Sequence, residues 1–303
     1  MKQIAALTLG VGLTAALSLS ALAAGTSGPL IAPPPGAQPE VVEVPATGEW
    51  SSGLLVLNGT ALDPSGLPAA PAYDMLPLRL LAEADHGGAY WDEETNSGSF
   101  YLEQYVVNVD FATGAITVDD QAVEGKAQVV QGVTFVPASV LDGLEGYAVN
   151  LNPEMDVDRI DVTTPNSDPM IQLLYQLADA AGVGYGMKTT AAELEETKIL
   201  SEGVFTKGVG LLPMITNPDT VILGKVAEGK LEQAKADLEA YRKVQEETFS
   251  WYLAQHLPKV QAAQVAVSGD WVLFVIGENA GAAVELFQTS AAGLESAGGG
   301  RRN

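Results

Sequence analysis

Apolar and polar positions along the chain repeat in one pattern that occurs twice. With Pro77 aligned to Pro137, the apolar pairs directly before each proline match, and so do the apolar pairs that begin three residues after it. Trp91 and Leu151 each follow fourteen residues after their proline, and Phe100 and Ile160 each follow twenty-three residues after it. Spacing this regular predicts a duplicated structural unit.

Each repeat predicts a strand, a short helix and a hairpin. In the first copy, an apolar strand ends at Pro77, whose fixed φ and missing donor suit the first turn of a helix. The apolar residues of the following segment recur at helical spacing until Gly87. Residues 89–91 and 99–102 then predict the two strands of a hairpin around a polar turn.

The C-terminal half predicts an antiparallel sheet covered by helices. Asp168 and Pro169 are typical of a helix start, and Thr190 with Glu193 predicts a capping box. The predicted elements are a helix from 169 to 182, strands at 210–216 and 220–226, a long helix from 228 to 256 ended by Pro258, strands at 264–267 and 271–276, and a last helix at 280–290. The predicted fold class is α+β, with a β-rich N-terminal module followed by an antiparallel sheet packed against a long helix.

Composition divides the chain into five segments. The apolar run after Met1-Lys2, with a small-residue cleavage site at 21–23, predicts a secretory signal peptide, and a retained membrane anchor is the alternative. The chain has no cysteine, which excludes a lipid-modified N-terminus and disulfide bonds. The predicted segments are a signal peptide at 1–23, a Pro/Gly-rich linker at 24–49, domains at 50–165 and 166–296, and a flexible tail at 297–303.

Acidic side chains are concentrated in the N-terminal part. The chain has a net charge of -23, and residues 24–165 alone hold 21 acidic and 3 basic side chains. Such a surface repels phosphate backbones, so we expect no binding to nucleic acid. Four acidic residues offer oxygen ligands for calcium, although their alternation with apolar residues also fits the solvated face of a strand: Glu154, Asp156, Asp158 and Asp161.

Aromatic residues in the first repeat predict a binding surface for carbohydrate. Tyr90, Trp91, Phe100 and Tyr101 are grouped on the predicted hairpin. Because side chains alternate between the two faces of a strand, about half of them must point into the core.

The sequence predicts neither a catalytic group nor a cofactor. His86 follows Asp85 in a loop, but adjacency in sequence does not place two side chains for proton transfer. The pairs Glu195-Glu196 and Glu246-Glu247 lie on predicted helices, where neighbouring side chains diverge instead of facing one sugar.

The first repeat resembles the copper amine oxidase N-terminal-like domain. The resemblance covers residues 50–163 and rests on Leu76-Pro77-Leu78-Arg79, Ala82-Glu83-Ala84 and Trp91-Asp92. In the second copy Ala138-Ser139 replaces the Leu-Arg, and Leu151-Asn152 replaces the Trp-Asp. The family is common on bacterial surface proteins, and the resemblance is to a non-catalytic module. The chain also has only two histidines, in different predicted domains, which excludes a copper enzyme.

Residues 170–290 resemble the domain of unknown function 4358. The resemblance rests on Leu212-Pro213-Met214, on Glu247-Thr248-Phe249 with Tyr252-Leu253, and on residues 269–274. That family occurs on exported bacterial proteins, often lipoproteins, and implies no activity or catalytic residue.

Together these features predict a secreted, non-enzymatic protein of the bacterial cell envelope. We expect it to bind a surface protein or a cell-wall polysaccharide, without stable insertion into a membrane once the signal is cleaved. The alternatives are a hydrolase acting on the cell wall and a structural spacer stabilised by calcium. An exposed cleft with convergent carboxylates would favour the hydrolase, and an aromatic patch without titratable residues would favour binding.

Overall fold

The structure, a computed structural model, describes residues 55–152, 159–214 and 216–297. The predicted signal peptide at 1–23 and linker at 24–49 therefore lie outside the described residues. Ala297 is the last residue of the final helix, and residues 298–303 of the predicted tail also lie outside. Within the described ranges, no helix combines the length and the apolar character needed to cross a membrane.

The N-terminal unit, residues 55–163, is rich in short strands. Its elements are β1 (Leu55–Leu57), β2 (Thr60–Ala61), β3 (Met75–Pro77), α1 (Leu78–Ala84), β4 (Gly88–Asp92), β5 (Ser97–Leu102), β6 (Tyr105–Asp110), β7 (Ile116–Val118), β8 (Gln121–Ala122), β9 (Gln128–Val130), β10 (Val133–Pro137), α2 (Ala138–Asp142), β11 (Ala148–Asn152) and β12 (Arg159–Thr163). They form sheets in the orders β11-β12-β1-β2, β3-β10-β9 and β4-β5-β6-β7-β8.

The two repeats fold into equivalent elements. Strands β3 and β10 precede α1 and α2, and the hairpin β4-β5 corresponds to β11-β12. The first strands of the two copies pair with each other antiparallel, with Leu76 opposite Val136. The sequence predicts Pro77 in the first turn of the helix, and this prediction is wrong by one position. Pro77 is the last residue of β3, where the chain is still extended with ψ 96°, and α1 begins at the next residue.

The C-terminal unit, residues 169–297, is an antiparallel sheet between two layers of helices. A 3₁₀ turn (Pro165–Ser167) leads into α3 (Pro169–Ala181), β13 (Met187–Thr190), α4 (Ala191–Glu196), β14 (Phe205–Leu212), β15 (Thr220–Val226), α5 (Leu231–Trp251), a second 3₁₀ turn (Ala254–His256), α6 (Leu257–Gln261), β16 (Gln264–Ser268), β17 (Trp271–Ile276) and α7 (Ala280–Ala297). The sheet order is β13-β14-β15-β17-β16, and all its pairings are antiparallel.

Successive apolar side chains of the central strands point to opposite faces of this sheet and contribute to a hydrophobic core on each face. On β17, Leu273 and Val275 pack toward α3 and α7, while Phe274 packs toward α4, α5 and α6. Every residue of β17 is buried, as expected of a strand covered on both faces. The prediction of an α+β fold with an antiparallel sheet and a long helix is therefore confirmed.

Local signals in the C-terminal unit agree with the structure at several helix ends. The Asp168 carboxylate accepts from the backbone N–H of Met170, and Thr190 forms the predicted capping box with Glu193. The long helix is shorter than predicted: α5 ends at Trp251. Pro258 lies at the start of α6, where its missing N–H costs no helical hydrogen bond.

Candidate functional site

Two of the four predicted aromatic residues share the solvent face of the sheet β4-β5-β6-β7-β8. Tyr90 pairs with Ser99, which is two residues from Tyr101, so the tyrosines are diagonal neighbours. Their side chains are 62% and 47% exposed. The Ser99 hydroxyl donates to Asn108 Oδ1 at 2.7 Å, and Asn108 in turn pairs with Thr117. We call the residues Tyr90, Ser99, Tyr101, Asn108 and Thr117 the tyrosine face.

The other two aromatic residues face the core. Phe100 is only 4% exposed, and Trp91 is half-buried against the same hydrophobic cluster. The prediction of Phe100 as a surface residue is therefore wrong. Neighbouring side chains on β5 point to opposite faces of the sheet, so Phe100 faces the core while Tyr101 faces solvent.

A small cleft lies beside β4, the edge strand of this sheet, between β4, α1 and the start of β10. It has a volume of about 100 Å³ and is lined by residues that include Arg79, Tyr90, Trp91 and Phe111. The indole Nε1 of Trp91 is buried and has no hydrogen-bond partner among the described residues. We call this feature the edge cleft.

A turn and a glycine fix the hairpin that carries these aromatic residues. Asp92 Oδ1 accepts from the backbone N–H of Glu94 at 2.9 Å, which stabilises the turn between β4 and β5. Gly98 lies opposite Trp91, and a Cβ there would be 2.7 Å from the ring of Phe111. Only glycine leaves room for Phe111 on the inner face, so this position sets the packing below the cleft.

A second site is the polar contact between the two units, centred on Asp85. Asn58 Nδ2 and the Thr164 hydroxyl both donate to Asp85 Oδ1, at 3.0 Å and 2.9 Å. Asn166 Nδ2 donates to the backbone oxygen of Asp85 at 3.0 Å, and Gln172 Nε2 on α3 donates to that of Asn58 at 3.2 Å. Asp85 Oδ2 is buried without a hydrogen-bond partner among the described residues.

Aromatic and ionic contacts complete this junction. The rings of His86 and Tyr175 stack with centroids 3.6 Å apart. Lys188 pairs with Glu103 and also donates to Asn166 Oδ1 at 2.9 Å. Next to these contacts lies a cavity of about 220 Å³, the junction pocket, lined by residues of both units that include Asn58, Asp85, His86, Gln172, Tyr175 and Asp179.

Burial shifts the protonation equilibria at the junction. It raises the pKa of Asp85 to about 6, although the hydrogen bonds that the carboxylate accepts from Thr164 and Asn58 act in the opposite direction. Burial also lowers the pKa of His86, against the attraction of Asp179 and Glu103. His86 is therefore neutral near pH 7, while most of Asp85 is ionised.

Adjacent Asp85 and His86 do not form a proton relay. The Asp85 carboxylate accepts from Asn58 and Thr164, whereas the His86 ring lies on Tyr175. Among the glutamate pairs, Glu195 accepts from the backbone N–H of Gly203, and Glu246 pairs with Arg242. These carboxylates have structural partners.

The predicted calcium ligands are only partly described. Glu154, Asp156 and Asp158 lie outside the described residues, while Asp161 on β12 pairs with Arg159 at 2.7 Å. The described part of the chain contains no group of three or more residues of metal-ligating type that could hold an ion.

The junction is the feature that the sequence did not reveal. Its residues are up to 114 positions apart, as for Asn58 and Gln172, and no spacing rule connects them. The one local signal is Asn58-Gly59, a dipeptide typical of tight hairpin turns, and both residues have positive φ.

Comparison with known proteins gives one match. Residues 206–277 match the family described as Domain of unknown function (DUF4358). The chain has no match among curated proteins or solved structures. No family match was found for the copper amine oxidase N-terminal-like resemblance of residues 50–163. The predicted similarity of the C-terminal unit to DUF4358 is thereby confirmed, over less than half of the chain.

Proposed function

We propose that this protein is a secreted, non-catalytic component of the bacterial cell envelope that binds a polysaccharide on its tyrosine face. The observation that carries the proposal is the diagonal pair of exposed rings, Tyr90 and Tyr101, beside the hydroxyl and amide groups of Ser99 and Asn108. Aromatic rings offer apolar area for the flat face of a sugar, and neighbouring polar groups bond to its hydroxyls.

The edge cleft extends this surface. Tyr90 lines both the cleft and the tyrosine face, and the half-buried ring of Trp91 adds apolar area to the cleft.

Charge narrows the class of polysaccharide. Residues 24–165 hold 21 acidic and 3 basic side chains, which disfavours teichoic-acid-like or other anionic polymers. A neutral polymer, or one that carries amino groups, fits this surface better.

Location outside the cytoplasm rests on sequence features. These are the predicted signal peptide at 1–23, the resemblance of residues 50–163 to the copper amine oxidase N-terminal-like domain, and the similarity to DUF4358. With no cysteine in the chain, a released or wall-associated form is preferred to a lipid-anchored one.

The hydrolase alternative has weaker support. Two carboxylates near the tyrosine face, Asp92 and Asp110, each accept from the backbone N–H groups of their own turns. Asp85 lies at the junction and not on the tyrosine face, and its carboxylate accepts from Asn58 and Thr164. Glycoside hydrolysis needs two carboxyl groups directed at one sugar. The calcium-stabilised spacer remains a second alternative, tested by the effect of millimolar calcium on the melting temperature.

A co-sedimentation experiment tests the proposal. Full-length protein is mixed with purified cell wall, soluble wall polysaccharide and membrane proteins of its source. We expect depletion from solution by the polysaccharide-containing fractions, with no release of reducing sugar. Depletion by the membrane proteins alone would replace the polysaccharide with a protein partner, and sugar release would support the hydrolase.

A further inference from the structure

The junction pocket has the dimensions of a small-molecule site. Its volume is about 220 Å³, and α3 of the C-terminal unit forms one wall while the β1–β2 turn and the end of α1 form the other. Ligand sites occur preferentially between domains, and drug-sized ligands occupy about 300 Å³ or more. The pocket therefore suits a molecule smaller than a drug.

The pocket carries negative charge that the described residues do not neutralise. Asp85 is 96% buried at its wall, and one of its carboxylate oxygens has no partner among those residues. Asp179 lines the same pocket, and its carboxylate forms no hydrogen bond or ion pair within the described ranges. The lysine at this junction, Lys188, is already held by Glu103 and Asn166.

One wall of the pocket is aromatic. His86 and Tyr175 stack with an angle of 5° between their planes, so their edges and remaining faces are held in a fixed orientation. His86 adopts a positive φ of 65°, a conformation that a non-glycine residue adopts rarely and at a cost. An organic cation gains from contact with such rings as well as from carboxylates.

We propose that the junction pocket binds a small organic cation, a primary ammonium attached to a flat apolar group. The ammonium pairs with the exposed carboxylate of Asp179 and is attracted by the buried charge of Asp85, and the apolar group contacts Tyr175 and the leucines Leu57 and Leu62 that line the pocket. A divalent metal is a poorer fit, because the described residues offer no three-ligand group. This site is independent of the tyrosine face.

Benzylamine and its neutral counterpart benzyl alcohol test the proposal. Full-length ¹⁵N-labelled protein is titrated with each compound, and the side-chain amide signal of Gln172 reports occupancy of the pocket. We expect benzylamine to shift this signal saturably and to bind at least about tenfold more tightly than benzyl alcohol, since one ammonium–carboxylate contact accounts for such a factor. Equal affinities, or shifts confined to the tyrosine face, would overturn the proposal.

Charge-neutralising variants locate the cation. Asp179→Asn should weaken benzylamine binding about tenfold and leave benzyl alcohol unaffected. Asp179 lies on the surface of α3, so this variant retains the fold. Glu196→Gln removes one exposed charge from α4 and serves as the matched control, with no expected change. An Asp179→Asn affinity equal to that of the wild type would contradict the proposed site.

Discussion

His86 and Tyr175 stack ring on ring across the boundary between the two units, with centroids 3.6 Å apart. The contact joins the residue that follows the C-cap of α1 to the middle of α3, and the hydrogen bonds around Asp85 lie next to it. The hydrophobic clusters of the two units do not share residues. Polar and aromatic contacts therefore stabilise the junction.

Asn58→Gly should weaken the junction. The substitution removes bonds to Asp85 and to the backbone N–H of Thr164, and it keeps the positive φ that this position requires. Because buried partners lose their bonds, we expect a loss of about 2–3 kcal/mol in the free energy of unfolding, measured with urea. Asn96→Gly is the matched control, with φ 49° and no side-chain hydrogen bond within the described residues. Equal effects of the two substitutions would contradict this role of Asn58.

Protonation of Asp85 should stabilise the protein in mild acid. Its pKa is 3.8 when unfolded and about 6 when folded, so the folded state binds the proton more tightly. The stabilisation is complete below pH 4 and disappears as the pH rises through 6, with a magnitude on the order of 3 kcal/mol. The difference between wild type and Asp85→Asn, measured by urea unfolding from pH 4 to 8, should show this trend. If the difference in the free energy of unfolding between the two proteins does not vary with pH, a raised pKa of Asp85 in the folded state is excluded.

Lys259→Met should be strongly destabilising. Lys259 pairs with Asp219 at 2.7 Å, and the two side chains are only 11% and 7% exposed. The variant leaves a buried carboxylate without its cation, at a cost of about 3–5 kcal/mol in thermal or urea unfolding. Lys235→Met removes a pair in which Glu232 is 85% exposed, and it should cost under about 1 kcal/mol. Similar losses of stability in both variants would show that burial does not increase the contribution of the Lys259–Asp219 pair.

Gly224→Ala should strain the central sheet of the C-terminal unit. An added Cβ would be 2.2 Å from the ring of Phe205, which lies over Gly224 and its partner Gly208. Overpacking of this kind costs about 1–3 kcal/mol or more, measured as a lower urea midpoint. Gly88→Ala has nothing within 4 Å and should change stability by about 0.5 kcal/mol at most. A tolerated Gly224→Ala would mean that the Phe205 ring moves freely.

Local rules predicted much of the fold. The sixty-residue repeat predicted that β3 and α1 have equivalents in β10 and α2, and capping signals predicted the starts of α3 and α4. In contrast, the prediction missed β6, and it missed β7, β8 and β13, which are three, two and four residues long. Short strands carry too few alternations to stand out from loops.

Sequence patterns predicted the candidate site residues only where these residues lie close together along the chain. Alternation predicted that half of the aromatic residues face inward, and Phe100 and Trp91 do so. Which half stays exposed depends on register, which the sequence did not fix. The Asp85 junction depends on how two units pack, and that is a property of the tertiary structure alone.

Affinity for soluble wall polysaccharide, measured by calorimetry on wild type and on Tyr90→Ala/Tyr101→Ala, tests the central claim most directly. Each exposed ring should contribute a factor of about 3 to 10, so the double variant should bind roughly 10- to 100-fold more weakly. Tyr185→Ala removes a 69% exposed tyrosine from the C-terminal unit and should leave the affinity unchanged. Equal loss in Tyr185→Ala and in the double variant, or wild-type affinity in the double variant, would contradict the tyrosine face as the binding site.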